Sequence, residues 1–146
     1  MPPLRPIPTS GAAGSLEQVI ALDGGSGCIS EARDAARRFL SEARDEHRMN
    51  VPDVTVENAQ LVVSELVTNL IKYAPGPGLL QLRIDDSGVQ VEVWDSGPAQ
   101  PLVHGTDPHR VGQHGLEIVT LLTESLTVHS TTVGKRIVAT LALPDA

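Results

Sequence analysis

Three short stretches of this chain carry groups that could do chemistry together. Glu65, Asn69 and Lys72 stand at i, i+4 and i+7, so a helix would present a carboxylate, a carboxamide and an ammonium in one stripe. The carboxamide oxygen of Asn69 is a hard, neutral donor suited to Mg2+. The Glu65 carboxylate can orient a nucleophile and take its proton, and Lys72 can meet a phosphate oxygen one turn further on. The same spacing equally suits an ordinary solvated stripe. Asp95-Ser96-Gly97 offers a carboxylate able to accept a hydrogen bond from an exocyclic amine such as that of adenine, with Gly97 permitting close backbone approach. Taken alone, that tripeptide is also a turn signal. Gly112-Gln113-His114-Gly115 leads into an apolar run, where free N–H groups at a helix start attract phosphate. By itself it is also a flexible helix entry.

The elements that would hold these groups follow from periodicity. Residues 1–15, rich in Pro, Gly, Ser and Ala, read as a disordered tail, and one domain is expected over 16–146. Glu17 to Asp23 alternates loosely as a strand, and Asp23-Gly24-Gly25-Ser26-Gly27 reads as a turn. Ser30 is expected to cap a helix running to about His47 through Ala32, Ala35, Ala36, Phe39, Leu40 and Ala43. Asp53 is expected to cap a second helix, whose wide apolar face includes Ala59, Val62, Val63, Leu66, Val67, Leu70 and Ile71; Pro75 and Pro77 must end it.

Leu80, Leu82 and Ile84, then Val89, Val91 and Val93, alternate with polar residues around Asp86-Ser87-Gly88, which predicts an antiparallel hairpin. Residues 96–114 form a long irregular loop by composition. A third helix should start near Gly115 and include Leu116, Ile118, Val119, Leu121 and Leu122. Strands at 126–130 and 136–143, joined by a turn around Gly134, should complete the chain. This order predicts an α+β, two-layer fold, with helices on one face of a mainly antiparallel, mixed sheet.

Composition narrows the partners. The 146 residues carry a formal charge of −7, and no Lys/Arg cluster exists to neutralise a run of phosphates, so nucleic acid is not expected as a partner. No apolar run approaches about 18 residues and the N-terminal stretch lacks a signal-peptide core, so no membrane association and a cytoplasmic location are expected. Cys28 is the single cysteine, which excludes an internal disulfide. His104, His109 and His114 recur every five residues, a spacing that suits no helix face, and His47 is read as a helix-end histidine favoured by the dipole.

Taken together the motifs resemble the histidine-kinase-like ATPase family, over roughly residues 16–144. SELVTNLIKYA (64–74) resembles its N box, VWDSG (93–97) its adenine-recognising box, GQHGLEIV (112–119) its glycine box and phosphate lid, and VGKRIVATLALP (133–144) its closing strand. The resemblance implies an ATP–Mg2+ pocket in which Asn69 holds the metal, Glu65 is the catalytic carboxylate, and Asp95 binds adenine. Lys72, Gly97, Gly112, His114, Gly115 and Leu116 complete the nucleotide-binding set.

The short form is similar to bacterial anti-sigma factor serine kinases. That similarity implies a homodimer that binds a sigma factor and phosphorylates an anti-anti-sigma, STAS-type protein. Ala99 stands where the family usually has a second glycine, His114 where some members have arginine, and Arg136 where a threonine often follows Gly-Lys. Lys72-Tyr73 is the pair more typical of sensor histidine kinases. A nucleotide-gated binding module without phosphotransfer, or a detached domain serving a histidine phosphorelay, remain open beside the kinase.

Overall fold

The computed structural model describes residues 7–8, 15–74, 76–95, 113–131 and 134–144. Among the described residues nine elements follow in chain order: β1 (Ile7–Pro8), β2 (Leu16–Leu22), α1 (Gly27–Asp45), α2 (Asp53–Tyr73), β3 (Gly78–Asp85), β4 (Gly88–Asp95), α3 (Gln113–Leu122), β5 (Ser125–Thr131) and β6 (Gly134–Ala142). The strands form one sheet in the order β1-β2-β3-β4-β6-β5. All five pairings are antiparallel, so the expected admixture of parallel strands is absent among the described residues.

Side-chain alternation decides which face is covered. Leu80, Leu82 and Ile84 of β3, Val89, Val91 and Val93 of β4, and Ile137, Ala139 and Leu141 of β6 are buried on one face, beneath the helices. There α1 packs beside α2, α2 lies over β4 and β6, and α3 contacts α2 and β5. The helix layer is as aliphatic as the composition requires. Helix α1 buries Cys28, four alanines, Leu40 and Phe39, the only phenylalanine. Helix α2 buries Val56, Ala59, Val62, Val63, Leu66, Val67 and Leu70. Each fully buried Val or Leu contributes about 1.5–3 kcal/mol, so α2 anchors the domain as well as bearing Asn69.

Several boundaries differ from the sequence expectation. Helix α1 begins at Gly27, a turn before Ser30, because Cys28 extends the buried face through Ala32, and Ser30 is an exposed helical residue. The N-cap of α2 is Pro52 rather than Asp53. Asp53 instead occupies the first turn, where its charge suits the helix dipole and its Oδ1 meets Arg44 Nη1 at 2.7 Å. The start of α3 is Gln113, two residues before Gly115. Ile7–Pro8, inside the stretch expected to be a tail, pairs with Leu16 and Glu17. The loop expected at 96–114 lies outside the described residues up to 112. Among the described residues no helix is long and apolar enough to cross a membrane.

Candidate functional site

The C-terminal end of α2, the last residue of β4 and the first residues of β6 meet at one end of the sheet. Between them lies an open pocket of about 220 Å3, with buried Leu66, Leu70, Val93 and Ile137 as its apolar lining and Ala74 at the end of α2. Its polar groups come from three different elements: Asn69, Asp95 and Lys135. Residues 96–112, which directly follow Asp95 in the chain, are outside the described residues.

Local chemistry fixes each polar group. Asn69 is half-buried on a helix whose apolar face is locked into the core, so its backbone position is set by Leu66 and Leu70 on either side. Asp95 ends β4, and its Oδ1 accepts a hydrogen bond from the backbone N–H of Lys135 at 3.0 Å, across 40 residues of sequence. An ionised carboxylate has about four acceptor positions, so this bond leaves capacity for a ligand donor. Close approach of the two strands is possible because residue 134 is glycine. At Gly134 φ is +154°, and a β-carbon would collide with the Asp95 carbonyl oxygen.

The structure therefore brings together Asn69 and Asp95, which the sequence singled out separately. Glu65, half-buried, and Lys72, exposed, are not among the residues lining the pocket. His114, Gly115 and Leu116 fall in the first turn of α3, among the N–H groups that an α-helix leaves without internal partners. Gly97 and Gly112 lie outside the described residues. Lys135, which lines the pocket, and Gly134, which precedes it, were not selected as site residues from the sequence. Their only local signal is a Gly-Lys pair at the start of an alternating strand.

The other reactive groups lie elsewhere. Cys28 is buried, and that burial pushes its thiol above the ordinary range, which makes it a packing residue rather than a nucleophile. Among the described residues no group of three His, Cys, Asp or Glu side chains could hold a metal ion.

Comparison with known proteins agrees with this architecture. A family profile described as the histidine kinase-like ATPase domain matches residues 30–141. No curated protein matches the chain. Among solved structures, the RsbU and RsbW domains of Rv1364c from Mycobacterium tuberculosis superpose with a TM-score of 0.64 at 18% identity. The match covers 88% of this chain and 33% of that one, so this chain spans about a third of its neighbour's length. At that identity the likeness is one of fold. The family match spans most of the domain and includes α2, β4, α3 and β6, the elements that build and border the pocket, and the chain belongs to the histidine kinase-like ATPase family.

Proposed function

We propose that this chain is an ATP-binding regulator of the anti-sigma type, a protein serine/threonine kinase that phosphorylates an anti-anti-sigma, STAS-type partner. The observation that carries the reading is the meeting of Asn69 and Asp95 in one pocket, in a chain of an ATPase family. Asp95 would accept the exocyclic amine of adenine, and the apolar lining would take the faces of the base. Asn69 would hold Mg2+ through its carboxamide oxygen, together with phosphate oxygens. When bound, the metal would neutralise charge developing on the transferring group.

The first-turn amides of α3, including Gly115, would face the phosphates, with Gly112, His114, Leu116, Gly97 and Lys72 as further contacts. Glu65, one turn before Asn69 on α2, would orient the partner's hydroxyl and take its proton as the bond to the γ-phosphorus forms and the bond to the β-phosphate oxygen breaks. The fold likeness to a structure containing an RsbW domain supports the regulatory setting, with a sigma factor as the second partner and a homodimer in the cytoplasm as the working form.

A second reading is a nucleotide-gated binding module without phosphotransfer. The position of Glu65 and Lys72 outside the pocket lining favours it. Purifying the chain with its bound partners and adding labelled ATP separates the two. A phosphoserine or phosphothreonine on the partner, lost by about 10²–10⁴-fold in Glu65→Gln while ATP affinity holds, supports the kinase. Nucleotide-dependent partner binding without any label selects the module.

A further inference from the structure

We infer that Trp94, Glu92 and Arg136, on the helix-free face of the sheet, are positioning residues for Asp95 and thereby set the base preference of the pocket on the opposite face. The inference rests on the proposed role of Asp95 as the base contact.

Alternation places the three side chains together. Val91 and Val93 of β4 and Ile137 of β6 point into the core, so Glu92, Trp94 and Arg136 point the other way. Trp94 and Arg136 are direct cross-strand partners. The Trp94 indole Nε1–H donates to Glu92 Oε2 at 2.8 Å. The Arg136 guanidinium carbon stands 5.1 Å from the centre of the Trp94 ring. Arg136 Nε lies 3.5 Å from Glu92 Oε1, closing a three-membered ring of contacts.

The Glu92 and Arg136 side chains are only 16% and 33% exposed, so solvent screens this pair less than it would a surface pair. The Arg136 Nε atom is itself buried without a hydrogen-bond partner, so the aromatic face and the Glu92 charge are what it has.

Each member of the pocket's own contact is covalently next to this ring. Asp95 follows Trp94 and Lys135 precedes Arg136, so the backbone-to-side-chain bond from the Lys135 N–H to Asp95 Oδ1 stands one residue past the last paired rung of β4 and β6, Trp94–Arg136. Asp95 is paired on its other side with Gly78 of β3, and toward β6 the pair nearest to it is Trp94–Arg136. Holding residues 94 and 136 together therefore fixes the spacing at which residue 135 reaches residue 95. Loosening the ring lets the carboxylate rotate away from the geometry in which it accepts an amine donor.

The test uses the full chain and two readouts. Amide exchange at Lys135, measured by NMR without nucleotide, reports the bond to Asp95 directly. Arg136→Ala should speed exchange at Lys135 by up to about tenfold, the loss of one ordinary hydrogen bond, while Val91 in the core strand stays protected. Arg136→Lys, which keeps a cation over the ring, should restore most of the protection. The ratio of ATP to GTP affinity should fall about threefold or more in Arg136→Ala, part of the roughly 10- to 150-fold that a hydrogen bond to a charged group supports.

Unchanged Lys135 exchange in Arg136→Ala, or equal acceleration at Lys135 and Val91, overturns the positioning role. A wild type that prefers ATP, with a variant that keeps the full preference, overturns the inference alone. A wild type that binds ATP and GTP equally overturns the reading of Asp95 as the base contact, and with it the link to base preference.

Discussion

Gly134 passes beneath Asp95 so closely that a β-carbon at residue 134 would strike the Asp95 carbonyl oxygen and stand 3.0 Å from Oδ1. The two residues belong to different strands, and the contact is backbone against backbone, so no side-chain rotation relieves it. Gly134→Ala must therefore push the start of β6 away from the end of β4. Overpacking of this kind costs about 1–3 kcal/mol. The variant should unfold at lower denaturant concentration and bind ATP more weakly. A variant as stable as the wild type would show that the strands separate without cost.

Asp95→Asn isolates the charge. The Asn carbonyl oxygen can replace Oδ1 as acceptor for the Lys135 N–H, which turns the amide NH2 toward the ligand. A donor would then face the adenine amine, and ATP binding should weaken by roughly 10- to 150-fold. GTP, with its O6 acceptor, should bind as well as before or better. Titration calorimetry with both nucleotides checks this, and undiminished ATP affinity would leave Asp95 a strand-end residue.

Asn69→Ala tests the metal. If the carboxamide oxygen ligates Mg2+, the variant should lose affinity for Mg-ATP far more than for ATP in EDTA. Equal losses in the two buffers would assign Asn69 to the nucleotide itself, and no loss in either would leave it a solvated helix residue.

Arg48 has φ of 55°, the left-handed region, one residue before the Met49 N–H closes on the Ala43 carbonyl at 3.1 Å. The left-handed region is one that glycine enters without steric cost. Arg48→Gly should add about 0.5–1 kcal/mol of stability, read from chemical denaturation, because a side chain in this region costs about that much or more. A destabilised variant would mean that the Arg48 side chain contributes more than its backbone costs.

Asp85 supplies a pH signature at the β3–β4 turn. Its Oδ1 accepts from the Ser87 hydroxyl at 2.6 Å, the Ser87 N–H at 2.8 Å and the Gly88 N–H at 3.2 Å. The Ser87 hydroxyl bond above all, then the two N–H bonds and nearby Arg83, hold this carboxyl below its ordinary value of 3.8. Folding thus favours the ionised form. The stabilisation is complete above the unfolded-state pKa and is lost as pH falls through the lower folded-state value. Asp85→Asn should flatten the fall in stability below about pH 4 relative to wild type. Parallel acid-denaturation curves for the two proteins would remove Asp85 from the acid response.

Where the apolar period was long, the sequence was enough. Helix α2 and the β3–β4 hairpin follow from a helical stripe and from alternation on either side of Asp86-Ser87, and the structure has both. Asn69 and Asp95 stand out in the sequence by residue type, and the structure brings them to one pocket. What spacing does not give is geometric. On an α-helix Glu65 and Lys72 lie about 40° and 60° to one side of Asn69, while Leu66 and Leu70 lie about 60° and 100° to the other. The pocket opens on the leucine side, which spacing alone does not reveal.

Lys135 meets Asp95 across forty residues, so nothing local announces it. Helix α1 begins within a glycine-rich run that reads as a turn by composition, and burial of Cys28 decides the matter.

The sheet's two margins have a consequence for how the chain behaves in a crowded solution. At one margin stands β1, only two residues long and ending in Pro8, which has no N–H to offer a neighbour. At the other stands β5, seven residues of which Thr127, Val128, His129 and Ser130 are exposed and mostly polar. Unpaired strand edges are the templates on which chains add to one another and grow into aggregates. Here β1 covers only Leu16 and Glu17 of β2 and its Pro8 withholds a donor, while β5 presents mostly polar side chains. Both features work against extension of the open sheet into its neighbours.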